Sequence, residues 1–486
     1  MRGPCLYWFF CAAVSVIATP VVAEQSASAA SAKRPNIILI VVDDLGYGEL
    51  GCYGQQKIKT PAIDQLAKEG LRFTQFYAGA SLCASSRNVL LTGEHTGRCR
   101  IRDNGPPNIQ TLRPDDLTIA EVLRDSGYAT AVIGKWAIGG DLPETGGRPE
   151  DQGFDFFYGY LNTVHAHNHY PSYLWKNREK VPLGNVVQDV PPGYAGFVGG
   201  MATKKVSYSQ DRFIEESLLW IESHRQEPFF LLLTPTIPHA NPEARKLTGN
   251  GTEVPDLGNY ANREWTEQNK GQAAMISHLD AGVGQILDQL NQLKLDEDTV
   301  IFFTSDNGPH NEAGHDPDFF DAAGGLRGRK FGLYEGGLRV PLIARWSGTI
   351  PAGRVTDHVA YFGDFFATLC QLAGVPLPAD ETQRQSVSLV PTLLGKTEQQ
   401  QHDYLYWELH GGYPRQAVRF GDYKAIRRPL GGKVPEKTKW ELYDLKADPS
   451  ERRNLAESEP KLLTKAEKMM DAAHVESPHW PDLKSQ

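Results

Sequence analysis

The feature that most constrains the fold is a set of short, continuous apolar runs that recur along the chain. Four of them, rich in Val, Ile, Leu and Phe, span residues 36–42, 128–133, 228–234 and 299–304. The segments between them include residues 209–224 and about 266–293, where apolar residues return every three or four positions, as in amphipathic helices. Buried strands that alternate with such helices predict an α/β fold, in which a large, mainly parallel sheet is flanked by helices on both faces.

The pattern changes after about Gly395. Short strand-like pieces follow, YLYWEL, QAVRFGDYKAIRR and WELYDL, and then a charged helical tail. We therefore expect two parts, a larger α/β domain over residues 35–395 and a smaller α+β subdomain with an antiparallel sheet over residues 396–486. The Pro- and Gly-rich stretch at residues 170–200 predicts a long loop, either at the rim of the site or simply at the surface.

The first 23 residues have the pattern of a cleavable signal peptide, with a basic residue, a short apolar run and small residues near its end. Residues 24–34 then predict a linker. An uncleaved amphipathic anchor is the alternative. No later stretch approaches the roughly 20 apolar residues of a membrane span, so we expect no stable membrane insertion. The sequence thus predicts a secreted or periplasmic protein.

Cysteine spacing argues against a zinc–thiolate site, and net charge argues against nucleic-acid binding. Cys52, Cys83, Cys99 and Cys370 follow the signal without CxxC spacing, which argues against a zinc–thiolate site. A disulfide such as Cys52–Cys99 is possible in an exported protein, but the pairing is left open. The net charge of −9 argues against nucleic acid as a partner.

Polar residues follow the four apolar runs at the points where the predicted strands end. They are Asp43, Asp44, Lys135, His239, Asp306 and Asn307. Each alone is an ordinary way to end a strand. Because α/β sheets bind ligands at the carboxyl ends of their strands, the coincidence predicts a shared site. Three carboxylates and an amide at one edge repel each other unless a cation lies among them, and oxygen ligands favour calcium or magnesium, calcium being our first choice.

Two further segments add basic groups to this predicted site. In CASSRNVLLTG, Cys83 lies near a predicted helix start, where free amides and the helix dipole favour an anion, and Arg87 adds a guanidinium. The glycine-rich LRGRKFGLYEGGLRVP carries Lys330, which on its own is most simply a solvated loop lysine.

Seven motifs, in order, give the chain a family resemblance. They are NIILIVVDDLGYGELGCYG, CASSRNVLLTG, GKWAIGG, IPHA, FTSDNG, LRGRKFGLYEGG and ELYDLKADPSERRNL. The chain resembles the type I sulfatases of the alkaline phosphatase superfamily over nearly its whole length after the signal. An ordered set is far more specific than a single motif. The resemblance implies hydrolysis of sulfate esters, with a sulfated carbohydrate or a small sulfate ester as substrate.

The resemblance also implies roles for the site residues. Calcium is implied to bind Asp43, Asp44, Asp306, Asn307 and the modified Cys83, and the groups implied to surround the sulfate are Arg87, Lys135, His239 and Lys330. It implies that a formylglycine-generating enzyme oxidises Cys83 to formylglycine. One hydroxyl of the hydrated aldehyde then attacks sulfur, and the second expels sulfate. His239 or Lys330 would protonate the departing alcohol.

Two residues depart from the family pattern. Ser85 stands where the family has Pro or Ala, which bears on recognition by the modifying enzyme, and Ala137 replaces a histidine of the usual GKWH segment. The histidines of HAHNHY, His165, His167 and His169, are predicted either to contact substrate or to have a structural role.

Two other functions remain open from the sequence. The first is hydrolysis of phosphodiesters or phosphonate esters, because the same superfamily site accepts tetrahedral phosphorus. The second is binding of sulfated glycans without catalysis, with Cys83 left as a thiol, and Ser85 and Ala137 are the residues that motivate it.

Overall fold

The predicted apolar runs form the strands at the centre of the molecule. The computed structural model describes residues 34–105, 109–140, 146–194, 197–378, 385–411, 414–428 and 439–480, together with residues 1, 3 and 8. The predicted signal peptide (1–23) and nearly all of the linker (24–34) therefore lie outside the described residues. The strands are β1 (Asn36–Val42), β2 (Leu71–Tyr77), β3 (Ala129–Lys135), β4 (Phe156–Tyr160), β5 (Tyr173–Lys176), β6 (Glu179–Pro182), β7 (Val186–Tyr194), β8 (Phe197–Lys204), β9 (Phe229–Thr234), β10 (Thr299–Ser305), β11 (Arg339–Arg345), β12 (Arg354–Thr356), β13 (Ala360–Tyr361), β14 (Leu405–Leu409), β15 (Arg415–Phe420), β16 (Tyr423–Arg428) and β17 (Lys439–Asp444).

The helices connect these strands. They are α1 (Pro61–Lys68), α2 (Cys83–Thr92), α3 (Ile119–Asp125), α4 (Ser209–Ser223), α5 (Pro242–Thr248), α6 (Glu267–Leu293), α7 (Glu335–Leu338), α8 (Asp364–Ala373), α9 (Val390–Leu393) and α10 (Pro460–Ala473). The two long helices, α4 and α6, agree with the predicted amphipathic segments. No described helix combines the length and the apolar character that a membrane span requires.

The main sheet has the order β12-β2-β11-β10-β1-β9-β3-β4-β5-β6, and β13 also pairs with β2. Its centre, from β10 through β1, β9 and β3 to β4, is parallel, and antiparallel strands flank it on both sides. One apolar cluster covers each face of this sheet, with Leu39 and Val132 on one side and Ile38 and Ile133 on the other. Because side chains alternate along a strand, runs apolar at every position must be buried on both faces. The predicted fold class is confirmed.

A second sheet, β14-β15-β16-β17, is antiparallel throughout and carries α10 on one face. Ala466 and Met470 of α10 are buried against Val418 and Leu442 of this sheet. The predicted C-terminal sheet and helical tail are thus present, while the boundary at residue 395 stays a prediction.

One prediction about this fold was wrong. Residues 170–200 are not a long loop, because they contain β5, β6, β7 and the start of β8, and β7 and β8 pair as a hairpin. Proline and glycine content misled the prediction, because edge strands and hairpins tolerate both residues. The possible disulfide is also absent, since Cys52 and Cys99 are both free among the described residues.

Candidate active site

The carboxyl ends of β10, β1, β9 and β3 place the predicted site residues at one edge of the main sheet. Asp306 and Asp44 meet there, because the Asp44 N–H donates to Asp306 Oδ1 at 3.2 Å. Asp44 has a φ of 67°, a left-handed conformation that a short polar side chain tolerates better than most. Asn307 Nδ2 donates to Asp44 Oδ1 at 2.6 Å. Three of the five predicted metal ligands are therefore joined, because Asp44 is hydrogen-bonded to both Asp306 and Asn307.

Two cations lie against the carboxylates. Lys135 Nζ, at the end of β3, donates to Asp43 Oδ2 at 2.7 Å. Arg87, on the second turn of α2, donates from Nε and Nη2 to Asp306 Oδ2 at 3.1 and 2.8 Å. Its Nη1 donates to the Lys135 carbonyl at 2.6 Å, so α2 and β3 are joined at the site. A guanidinium held by three hydrogen bonds is a rigid, fixed charge.

Lys330 completes the cationic group. Its Nζ donates to Asp44 Oδ2 at 2.9 Å, to His239 Nε2 at 3.0 Å and to Glu312 Oε2 at 2.6 Å, which uses all three ammonium hydrogens. Burial lowers the pKa of Lys330, but Asp44 and Glu312 outweigh burial and hold that pKa well above its usual value. Lys330 is therefore charged and is far from the solvated loop lysine that its motif alone suggests.

His239 is a neutral imidazole in this arrangement. Burial, and then the charge of Lys330, hold its pKa well below the usual value. Its Nδ1 lies 2.6 Å from the Ala240 carbonyl, which only a protonated nitrogen can approach as a hydrogen-bond partner. The single proton is therefore on Nδ1, and Nε2 accepts a hydrogen bond from Lys330.

The carboxylate edge has the chemistry of a site for a hard cation. Among the described residues, Asp43 Oδ1 and Asn307 Oδ1 are buried without a hydrogen-bond donor. Burial raises the pKa of Asp306, and repulsion from the like charge of Asp43 raises it further. Asp43, Asp44 and His239 each offer a ligand atom within 4.8 Å of the others. Oxygen atoms without partners and crowded negative charge both fit calcium.

Cys83 is the first residue of α2 and is fully buried. Burial raises the pKa of its thiol. The thiol is thus protonated at neutral pH and is a poor nucleophile as it stands. The side chain of Asn104 lies against it, with Nδ2 at 3.6 Å from Sγ. Sequence reasoning missed Asn104, because it lies in a segment between helices that has no motif of its own.

The three histidines of HAHNHY have different surroundings. His167 stacks on His239, with ring centroids 5.2 Å apart, and its Nδ1 lies 3.1 Å from Glu243 Oε2. His165 is packed between aromatic rings, and the Nε2 of His169 lies 3.0 Å from the His239 carbonyl. Only His167 of the three is placed beside a predicted catalytic side chain.

Glu312 and Glu243 are two site residues that sequence reasoning missed. The Glu312 side chain is 29% exposed, whereas those of Lys330 and Asp44 are 4% and 0% exposed, so it faces the opening of the site. Its position six residues after Asp306 is the sequence signal that could have pointed to it. Glu243 lies in α5, and nothing in the sequence links it to His167.

The two residues that depart from the family pattern, Ala137 and Ser85, are both buried. Ala137 is buried with a φ of 67°, and its methyl group offers no hydrogen bond where the family has a histidine. Its carbonyl accepts a hydrogen bond from Gln110 Nε2 at 2.6 Å. Ser85 is buried in α2, and its hydroxyl donates to the Leu82 carbonyl at 3.3 Å.

Comparison with known proteins identifies the family of this chain. The Sulfatase family model matches residues 35–375, and the model "N-sulphoglucosamine sulphohydrolase, C-terminal" matches residues 326–478. The N-acetylgalactosamine-6-O-sulfatase of Bacteroides thetaiotaomicron is 29% identical, over 92% of this chain and 94% of its own. Arylsulfatase A of Homo sapiens is 32% identical, over 88% of this chain and 85% of its own.

A solved structure is similar over the same range. The crystal structure of Ps i-CgsB in complex with k-i-k-neocarrahexaose has a TM-score of 0.73 and 26% identity, over 92% of this chain and 95% of that chain. The family match spans most of the chain and includes all the strands that carry the site. The chain therefore belongs to the type I sulfatase family, the sulfuric ester hydrolases.

Proposed function

We propose that this protein removes sulfate from a sulfated carbohydrate, using a formylglycine derived from Cys83 and one calcium ion. The observation that carries the proposal is the position of Cys83, which is buried at the start of α2, close enough to Lys135 and Lys330 for their charges to act on it. Arg87 lies on the next turn of the same helix. A raised thiol pKa leaves the unmodified cysteine unreactive, so the chemistry needs another group at this position.

The residues that would hold calcium are Asp43, Asp44, Asp306, Asn307 and the modified Cys83. When bound, calcium supplies positive charge that activates the attacking oxygen and offsets charge on the sulfate. The buried, unpartnered oxygens of Asp43 and Asn307 support this assignment. Formylglycine, when present, would supply a hydrated aldehyde with two hydroxyls, one as the nucleophile and one to expel the sulfate afterwards. Serine cannot replace it, because serine has only one hydroxyl.

The cations of this chain would bind the sulfate group. Arg87 and Lys135 are held in place by Asp306 and Asp43, so they need little reorganisation when substrate arrives. Fixed charges in a buried site stabilise developing negative charge more strongly than the same charges do in water. We therefore assign Arg87 and Lys135 to the sulfate oxygens.

Lys330 is the group that we assign to the departing alcohol. His239 Nε2 accepts a hydrogen bond and bears no proton in the neutral ring, whereas Lys330 Nζ bears three. Lys330 can therefore give a proton to the ester oxygen, and His239 and Glu312 hold its ammonium in place. His239 is then a positioning group and a substrate contact, not the acid.

A carbohydrate substrate is supported by the relatives. The N-acetylgalactosamine-6-O-sulfatase aligns over 94% of its own length, and the structurally similar Ps i-CgsB was crystallised with neocarrahexaose. We also propose that the protein is secreted or periplasmic and that a formylglycine-generating enzyme is its partner during maturation. The signal-like residues 1–23 support export.

The test is sulfate release by protein purified from its native host. A panel of sulfated sugars, including N-acetylgalactosamine 6-sulfate, is compared with matched phosphate diesters. We expect turnover of at least one sulfated sugar and much slower diester cleavage. Faster diester cleavage would favour the phosphodiesterase alternative, and glycan binding without sulfate release would favour the non-catalytic alternative.

A further inference from the structure

Asn104 places a polar amide directly against the side chain of Cys83. Its Nδ2 lies 3.6 Å from Cys83 Sγ, and its Oδ1 lies farther away, at 4.0 Å. Oδ1 instead accepts a hydrogen bond from the Ala84 N–H at 3.2 Å. That N–H is one of the free donors in the first turn of α2, so its bond fixes which end of the amide faces Cys83. The donor end, Nδ2, faces the sulfur.

The backbone around Asn104 is held from both sides. Asp103 Oδ1 accepts the Asn104 N–H at 2.8 Å, and Asp103 Oδ2 accepts the His410 N–H at 2.9 Å, which comes from the end of β14. On the other side, Gln110 Oε1 accepts the Gly105 N–H at 3.1 Å. The C-terminal sheet thus helps to hold the amide, and a preorganised donor acts on a reacting group more effectively than a mobile one does.

Gln110 also links Asn104 to the position where the family pattern is broken. The same side chain that binds the Gly105 N–H donates from Nε2 to the Ala137 carbonyl at 2.6 Å. Gln110 therefore connects the backbone beside Asn104 with the backbone of Ala137 in one hydrogen-bonded network. Ala137 has no polar side chain, whereas Asn104 has one that is already aimed at the reactive position.

We propose that Asn104 is a further catalytic residue, whose Nδ2 donates a hydrogen bond to the oxygen that replaces Cys83 Sγ after oxidation. This inference rests on the proposed function, because it needs formylglycine at position 83. The amide is neutral and transfers no proton. It orients the hydrated aldehyde, so that one hydroxyl is held by Asn104 and the other is left to face the ester.

The test compares Asn104→Asp with Asn104→Ala. Aspartate keeps the size of the side chain and the acceptor for Ala84, but it loses the donor towards position 83. We expect both variants to lose about 100-fold in kcat with little change in KM, the effect of removing one preorganised donor. Melting temperatures identify any loss of fold, and the mass of the peptide across Cys83 measures conversion in each variant.

A second readout does not depend on turnover. An aminooxy reagent labels free aldehyde but not its hydrate, and labelling is followed by mass under native conditions and again after unfolding. We expect Asn104→Asp to label faster than the wild type when native, by up to about tenfold, the worth of one hydrogen bond, and equally when unfolded. Because the aspartate side chain has the same size as asparagine, easier access of the reagent to position 83 does not explain the difference.

Each outcome has a distinct meaning. Equal native labelling and equal kcat in the wild type and Asn104→Asp would overturn the role of Asn104 while leaving the proposed function intact. Wild-type protein without any labelling after unfolding would contradict the proposed function itself. A defect confined to Asn104→Ala, with a lowered melting temperature, would show that Asn104 only caps α2.

Discussion

Lys424 Nζ lies 3.1 Å from Glu335 Oε1, and both side chains are completely buried between the C-terminal sheet and the segment that carries Lys330. Glu451 Oε1 lies 3.0 Å from the same ammonium. Glu335 follows Lys330 by five residues, so β16 holds the backbone from which the proposed acid extends. The C-terminal sheet is therefore part of the support for the active site.

Replacing Lys424 by methionine is expected to destabilise the whole protein. The change leaves Glu451 buried without its cation and leaves Glu335 with Arg339 as its remaining ion-pair partner, and breaking a buried ion pair costs about 3–5 kcal/mol. Urea denaturation measures the loss, with the exposed Lys446→Met as the matched control. A Lys424→Met protein as stable as this control would show that the buried ion pair makes no net contribution to the free energy of unfolding.

Loss of Lys330 is expected to depend on the leaving group. Lys330→Ala removes the proposed proton donor, so hydrolysis of a sugar sulfate is expected to fall by about 10²–10⁴-fold. A nitrophenyl sulfate, whose phenolate leaves without a proton, is expected to lose far less. The exposed Lys68→Ala is the control. An equal loss on both substrates would contradict the role of Lys330 as the acid and would favour simple sulfate binding.

Calcium is expected to stabilise the folded protein, and Asn307 is expected to be needed for this. At a calcium concentration about 100 times the dissociation constant, binding adds about 2.7 kcal/mol to the free energy of unfolding. Chelation should remove both the added stability and the activity. Asn307→Ala should show a much smaller calcium-dependent rise in Tm, whereas the exposed Asn311→Ala should behave as the wild type does. An unchanged rise in Asn307→Ala would exclude Asn307 as a ligand.

Glu408 is expected to make stability depend on pH in the acid range. Its Oε1 accepts from Arg102 Nη1 at 2.8 Å, and Oε2 lies 2.8 Å from His474 Nδ1. Burial raises the pKa of Glu408, but hydrogen bonds from His410 and His474 outweigh burial and hold that pKa well below its usual value. A lowered pKa in the folded state means that the stabilisation is complete above the unfolded pKa, about 4.3, and is lost as the pH falls below it.

The variant Glu408→Gln tests this dependence. At pH 7 it should cost about 3–5 kcal/mol, because Arg102 is left buried without its counter-charge. The difference from the wild type should shrink below about pH 4, because the Glu408 carboxylate of the unfolded wild-type chain then takes up a proton while the folded one does not. Urea denaturation at several pH values, with the exposed Glu457→Gln as control, measures it. A difference that is constant with pH would mean that the charge of Glu408 is not what stabilises the fold.

The central sheet and most of its site were predictable, because both depend on local patterns. An apolar run such as residues 36–42 is a buried strand wherever it occurs, and parallel strands bring the residues that follow them, such as Asp43 and Asp306, to one edge. The start of α2 at Cys83 also agrees with the expected helix N-terminus. These predictions required no knowledge of distant contacts.

The residues that were missed depend on contacts between distant parts of the chain. The backbone beside Asn104 is held by Asp103, which accepts the N–H of His410 after β14, about 300 residues later in sequence. Glu243 contacts His167, which lies 76 residues earlier in the sequence. The hairpin of β7 and β8 was hidden because edge strands tolerate Pro and Gly, so composition there did not reveal the pairing.

The most direct test of the account is the mass of the peptide that contains Cys83, from protein purified from its native host. We predict a peptide about 18 Da lighter than the thiol form, which is the change from CH2SH to CHO and marks the nucleophile. The same preparation should release sulfate from a sulfated sugar. A peptide that carries an intact thiol, from protein that nevertheless releases sulfate at full rate, would contradict the claim that formylglycine is the reactive group.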